Sequence, residues 1–399
     1  MPRFEPFNGL RYNPEMVRLD RVIAPPYDVI ESAERVHLAN RSPQNSVLIE
    51  LPEADLVGGL DRYQVAATLL ESWLEEGVLT AEGVPALYPY KMTSPDGRSS
   101  MGVIGALGLP EPGEESDILP HEQTLPKPKS DRLDLLRATR ANLSPIWGLS
   151  LTAGLSATFE PEEPPVIDAY DDDRVRHQLW VIDEPEVIDA VCQGVAASPL
   201  VIADGHHRYE TARAYQAERR QASGDRPADA DLVMALVVEL ADDQLTVGPI
   251  HRTISGLPES TDLPGAFSKW FAVVRAGDAT ERVVGALGQS HSLALITPEG
   301  AWMLTPHPEA FEAAGSDLDS SLVELMMNEL PAHTSTHRHT WHQAFSSVVS
   351  GESQAAVLLR PVTVDQIAEW AAARRKMPPK TTYFSPKPRT GMVFRELED

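Results

Sequence analysis

Residues Pro199–Glu210 read PLVIADGHHRYE: four aliphatic or small apolar residues, an Asp-Gly pair, then a stretch rich in Ala, Glu and Arg. That order predicts a short buried strand, a tight turn and a helix, so the chain must carry a sheet with helices packed on it. Gly205 allows a bend or positive φ that a side chain would resist. The first amides of the following helix have no partner within it, which suits the turn to an anion. Helix-terminus electrostatics contribute only about 0.3 to 1 kcal/mol when exposed. A hydrogen bond to a charged group contributes roughly 1.5 to 3 kcal/mol, so Arg208, with its forked guanidinium, outweighs the dipole as a phosphate ligand. Asp204 is placed to hold Mg²⁺ or orient a hydroxyl, and His206 and His207 to donate to phosphate or relay a proton. A purely structural account makes Asp204 a helix cap and puts both histidines on a solvated face, but a cap needs only the first of these residues.

Other segments alternate in the same way. Ser46–Leu51 (SVLIEL) reads as a buried strand between prolines, and Gly59–Glu76 as a helix with Leu60, Tyr63, Ala67, Leu70 and Leu74 on one stripe. Leu87–Met92 and Met101–Leu109 flank an Asp96-Gly97 turn and predict a hairpin. Further strands are expected at Ile146–Leu151, Leu179–Ile182, Leu200–Ala203, Leu232–Leu240, Ser292–Ile296 and Ala355–Leu359. Helices inserted among hairpins and isolated strands argue for an α+β protein with mixed sheets. The acidic, Pro-bearing stretches Leu109–Pro120 and Phe159–Arg174 read as loops or boundaries. They suggest regions of 1–160, 161–300 and 301–399.

The chain has 399 residues and a formal charge of −25, which opposes binding to nucleic acid or an anionic membrane. Its 34 prolines exceed the usual ~5% and imply many rigid loops. The single cysteine, Cys192, excludes an intramolecular disulfide or a multi-thiolate metal site, and reads as a buried thiol rather than a nucleophile. With no apolar run long enough to span a bilayer and no leader-like start, a cytoplasmic protein is expected.

A second cluster, His121–Arg132 (HEQTLPKPKSDR), combines His121 and Glu122 with Lys127, Lys129 and Arg132 ahead of a helix. Pro128 stiffens the loop so that Lys127 and Lys129 can face one anion; the alternative is a solvated basic loop with Ser130 or Asp131 as an N-cap. Ala24–Ile30 (APPYDVI) offers Tyr27 and Asp28 as a site wall or a packing turn. Met377–Phe394 carries Lys380, Lys387 and Arg389 among prolines and aromatics, as a site wall or an ordered tail. His333, His337, His339 and His342 invite a metal assignment, but no zincin pattern accompanies them and an exposed helix or loop is expected. Walker loops, nucleophile elbows and dinucleotide fingerprints are absent.

These blocks in this order, APPYDVI, HEQTLPKPKSDR with NLSPIWGL, VIADGHHRYETA and MPPKTTYFSPKPRTG, resemble the domain-of-unknown-function family 1015. The strand-DGHHR-helix block is also similar to the signature turn of the ParB and sulfiredoxin-like superfamily, which includes nucleotide-binding partition proteins and free serine kinases. That resemblance implies a core of this type around the turn, with additional α/β domains, and a nucleotide phosphate over Gly205 to Arg208. It also implies a carboxylate, Glu122 or Asp28 by position, acting on an acceptor hydroxyl. The DGHHR turn has no thiol, which disfavours sulfinic-acid repair, and no DNA-binding helical segment is recognisable. The expectation is a Mg²⁺-dependent phosphotransferase between ATP or another nucleotide and a small hydroxylated metabolite such as serine. Arg208, the amides at Gly205 and His206, Lys127 and Lys129 would hold phosphates, Asp204 would bind Mg²⁺, and His207 would donate to the moving oxygen. The alternatives are a non-catalytic nucleotide switch and a phosphatase of a phosphorylated metabolite.

Overall fold

The Leu200–Asp204 strand lies second from one edge of a nine-stranded sheet. In this computed structural model all residues are described except 56–57, 112–113, 115, 121–128, 224–227, 279–280 and 399. From that edge the order is Ile118–Pro120, Leu200–Asp204, Ile146–Ser150, Leu232–Glu239, Ser99–Gly108, Tyr88–Thr93, Arg176–Leu179 and Ile167–Tyr170, with Phe4–Glu5 also paired to Ser99–Gly108. Leu200–Asp204 runs parallel to Ile118–Pro120 and antiparallel to Ile146–Ser150, which is itself parallel to Leu232–Glu239. The sheet is therefore mixed, as the alternation of elements predicted. Leu200, Ile202, Val233, Ala235 and Val237 share a core with Val191 and Val195 of the Pro185–Ala196 helix and with Tyr209 and Ala212 of the His206–Ser223 helix. Both faces of these central strands are buried, and alternate residues of each supply the surface on which the helix following the turn is seated.

The chain divides into two compact units, 1–245 with 386–399 and 246–385. The acidic stretches read as loops contribute strands to the sheet: 159–174 contains Ile167–Tyr170 and 109–120 contains Ile118–Pro120. The chain leaves the first unit after Leu245 and returns at Pro386. On its return it adds the strand Phe394–Glu396 between Gly9–Tyr12 and Ala141–Asn142 in a four-stranded sheet.

The second unit is a six-stranded antiparallel sheet in the order Phe271–Gly277, Gly300–Pro306, Leu293–Thr297, Ala355–Leu358, His251–Ser255, Thr334–Arg338. Leu293 and Leu295 enter one core and Ala294 and Ile296 another, so the sheet is covered on both faces. Thr334–Arg338 corrects the expected helix or loop at the histidine cluster: the segment is a strand on the sheet edge.

Two other expectations change. SVLIEL is not a strand; Val47–Glu50 form a short helix, started by Asn45 Oδ1 accepting from the Val47 amide at 3.0 Å. A brief apolar run does not distinguish the two states, and the side-chain hydrogen bond decides it. The expected Leu179–Ile182 strand ends at Leu179, where Arg176–Leu179 has already paired on both sides. The 59–76 helix forms as Arg62–Glu75 behind an Asp61–Gln64 capping box, and the Asp96-Gly97 hairpin joins Tyr88–Thr93 to Ser99–Gly108. Among the described residues no helix is long and apolar enough to cross a membrane.

Candidate active site

The strand bearing Asp204 shifts register between Ile202 and Asp204 against Ile146–Ser150, a bulge of the kind that re-aims a side chain. Gly205 follows at φ +86, and a Cβ there would lie 3.0 Å from Arg208 Nε and 3.1 Å from Ile146 Cα. Both the left-handed conformation and the close approach call for glycine. The helix His206–Ser223 then starts with its first regular bond from the Tyr209 amide to the Gly205 carbonyl, 2.9 Å.

Asp204 accepts from two cations. Its Oδ2 lies 2.7 Å from Arg208 Nη2, and its Oδ1 pairs with Lys387 from the returning tail. Lys387 and Arg208 together outweigh burial and hold the Asp204 carboxyl below its usual range, while Asp204, Asp28, Tyr27 and Glu50 offset the effect of burial on Arg208 and raise it. Arg208 Nη1 also donates to the Pro145 carbonyl. Its Nε and the Nε2 of His207 are buried with no hydrogen-bond partner among the described residues. Arg208 is 10% exposed and Asp204 13%, so the ion pair is largely withdrawn from water.

The APPYDVI segment arrives at the same place. The Arg132 guanidinium lies 4.4 Å from the centre of the Tyr27 ring, and burial raises the Tyr27 hydroxyl to about 12, with the charges of Arg208, Asp28, Arg132 and Glu50 all acting on it. Arg132 Nη1 donates to the Glu50 carbonyl at 2.7 Å and lies 3.9 Å from Glu50 Oε1, while its Nε and Nη2 bind Asp131 Oδ2. Glu50 Oε1 accepts from Ser144 Oγ at 3.1 Å, and Ser144 precedes the Pro145 whose carbonyl holds Arg208. Glu50 and Arg208 are thus anchored on adjacent residues.

Of the residues picked out in the sequence, Tyr27, Asp28, Arg132, Asp204, Gly205, His206, His207, Arg208 and Lys387 come together around this turn. His121, Glu122 and Lys127 lie outside the described residues. The segment is bounded by Pro120, paired in register with Ile202, and by the helix that opens at Lys129. Lys380 belongs to the second unit, where its carbonyl accepts from Arg252 Nη2 at 3.0 Å. With both Asp204 oxygens on cations, a direct Mg²⁺ bond at Asp204 would require one of them to move. Among the described residues no group of three or more His, Cys, Asp or Glu could hold a metal ion. Burial pushes the Cys192 thiol up to about 11, away from nucleophilic use.

Two features escaped the sequence reading. Glu50 is 3% exposed, yet the apolar run around it signalled a strand. A buried chain also anchors the tail that carries Lys387. The Arg389 amide donates to Tyr90 Oη (3.1 Å), whose hydroxyl hydrogen must then go to His177 Nδ1 (2.8 Å), leaving His177 Nε2–H to donate to Asp171 Oδ2 (2.9 Å). Arg389 Nε binds that same oxygen at 2.7 Å. Burial works against the Asp171 charge, but His177 and Arg389 prevail and hold its carboxyl at about 2.

Three solved structures are similar in part. A conserved hypothetical protein from Pyrococcus furiosus has 14% identity and a TM-score of 0.37, covering 69% of this chain and 90% of that one. A free serine kinase in complex with AMP has 15% identity and a TM-score of 0.35, covering 67% and 83%. SbnI with a C-terminal truncation, from Staphylococcus aureus, has 10% identity and a TM-score of 0.38, covering 69% and 83%. Similarity at this level carries no argument about what the chain binds. No curated protein matches. The family model described as a protein of unknown function, DUF1015, matches residues 4–328, beyond which Lys387 lies, and the chain belongs to that family.

Proposed function

We propose that the Gly205–Arg208 turn seats the phosphates of a nucleotide, and that the protein transfers a phosphoryl group between that nucleotide and a small hydroxylated metabolite of the serine class. The observation that carries the reading is the pair of buried, unpartnered nitrogens, His207 Nε2 and Arg208 Nε, at the start of an 18-residue helix. Leaving a buried donor unsatisfied costs about 1 to 3 kcal/mol, and such atoms in a folded protein mark a place completed by a ligand, an ion or water. A phosphate supplies acceptor oxygens to both nitrogens and to the helix-opening amides.

In this reading Asp204 holds Arg208 and Lys387 toward the phosphates, His207 donates to the moving oxygen, and Lys127, Lys129 and Arg132 add positive charge. Glu122 or Asp28 is the carboxylate that the family resemblance implies for the acceptor hydroxyl. Mg²⁺ would arrive on the nucleotide's own phosphates and neutralise part of their charge, with Asp204 as its protein ligand only if a cation moves away. Phosphoryl transfer asks mainly for positioning and charge stabilisation, which fixed cations such as Arg208 and Lys387 supply.

The test is incubation of the purified chain with Mg²⁺, a nucleotide panel and a pool of hydroxy metabolites, followed by mass spectrometry for an acceptor that has gained one phosphoryl group. Arg208→Ala is expected to abolish nucleotide binding and product together. Binding at parental affinity by that variant overturns the assignment. Slow nucleotide hydrolysis without a phosphorylated acceptor identifies a switch instead, and phosphate release from a phosphorylated metabolite without nucleotide identifies a phosphatase.

A further inference from the structure

Glu50 carries one oxygen with a partner and one without: Oε1 accepts from Ser144, whereas Oε2 is buried with no hydrogen-bond partner among the described residues. The side chain is 3% exposed and lies among Arg132, Arg208, Tyr27 and Asp28. An ionised carboxylate only accepts hydrogen bonds, so this oxygen is not a phosphate ligand; it calls for a group that brings a proton. Glu50 and Arg208 are held by the adjacent residues Ser144 and Pro145, Arg208 acts electrostatically on Glu50, and Arg208 Nε and Glu50 Oε2 are both buried without a partner among the described residues, a donor beside which an anion fits and an acceptor that a hydroxyl fits.

We infer that Glu50, in place of Glu122 or Asp28, is the base that receives the hydroxyl proton of the acceptor, an inference that rests on the phosphotransferase reading above. The acceptor oxygen forms its bond to the terminal phosphorus of a nucleoside triphosphate as its proton passes to Glu50 Oε2. The bond from that phosphorus to the bridging oxygen breaks, and its electron pair leaves with the nucleoside diphosphate. Burial pushes the Glu50 carboxyl up; Arg132, Arg208 and the Ser144 hydrogen bond restrain the rise, and Asp28 adds to it. The direction suits a base, because a carboxylate of raised pKa takes a proton more readily near neutral pH. Glu50 had no place among the sequence candidates because its neighbours in the chain are apolar and its partners lie at Arg132, Ser144 and Arg208.

The experiment compares the parent chain with Glu50→Gln, Glu50→Asp and Glu122→Gln by nucleotide affinity, by steady-state transfer to the acceptor that the metabolite screen identifies, and by the pH profile of kcat. Glu50→Gln is expected to bind nucleotide within threefold of the parent, to lose at least about 100-fold in kcat, and to lose the acid limb of the profile. Glu50→Asp is expected to retain a carboxylate limb and a fraction of the activity, which guards against a loss caused by misfolding of the amide variant. Parental kcat in Glu50→Gln, or a raised acceptor KM with kcat intact, overturns the inference and leaves the phosphotransferase reading standing. Loss of kcat and of the acid limb in Glu122→Gln instead also overturns it. A parent chain that transfers nothing to any acceptor overturns both.

Discussion

His206 and His207 open a helix beside buried atoms drawn from distant parts of the chain, whereas His337, His339 and His342 are exposed and lie on or beside an edge strand of the second unit. His339 stacks on Tyr383 at 4.1 Å, an aromatic contact of ordinary kind. The second segment has more histidines and less chemistry. What separates the two is convergence: Tyr27, Glu50, Arg132, Asp204, Arg208 and Lys387 meet at the first, with polar atoms withheld from water.

The sharpest way to break this contrast is to truncate one basic side chain in each segment. Arg208→Ala is expected to weaken nucleotide binding by about 100-fold in titration calorimetry, the loss of one charge-assisted hydrogen bond from Nε. His337→Ala is expected to leave it within twofold. Equal losses would place the nucleotide elsewhere.

Next in size are the glycines of the two units. Gly205→Ala must adopt φ +86 and place a methyl 3.0 Å from Arg208 Nε, whereas Gly351→Ala at φ +78 meets nothing within 4 Å. Denaturant melts are expected to show about 1 kcal/mol lost at Gly351, from backbone strain alone, and about twice that at Gly205. Equal costs would mean that the turn has room to spare.

Acid sensitivity also differs between the units. The carboxyl of Asp171 is held at about 2, against ~3.9 in an unfolded chain. A depressed carboxylate stabilises the fold above its unfolded value, and that contribution disappears as pH falls from about 4 to 2. Asp171→Asn is expected to cost roughly 2 kcal/mol at pH 7 and to flatten the stability profile across that window. His251 of the second unit shows the reverse chemistry: burial, then Arg252 and His339, lower it to about 4, and its Nδ1 accepts from the Leu359 amide at 3.1 Å. An unfolded histidine takes up its proton near ~6.5, so the stability due to the neutral ring is lost as pH falls from there toward 4. Hydrogen exchange at the Leu359 amide, corrected for intrinsic rate, is expected to lose protection progressively over that range. Unchanged protection would mean that the ring is already charged at neutral pH.

Much of the architecture was legible because its signals are local. The hairpin at Asp96-Gly97, the helix behind Asp61 and the turn at Gly205 are each fixed by residues within a few positions of one another. The site was legible as separate motifs whose meeting had to be assumed. Glu50 stayed hidden because a six-residue apolar run has no period to distinguish helix from strand, and the Asn45 hydrogen bond that decides it is invisible in hydropathy. The Arg389–Asp171 pair, 218 residues apart, has no pattern at all in the chain.

The excursion of residues 246–385 out of the first unit fixes an order of events during synthesis. The inner unit is contiguous and emerges from the ribosome whole, while the outer one waits for Lys387, Arg389 and the strand Phe394–Glu396. A nascent chain stalled anywhere before Pro386 therefore exposes an unclosed sheet edge and leaves Asp204 with Arg208 alone, so the charge cluster at the Gly205 turn is completed only when the tail has arrived.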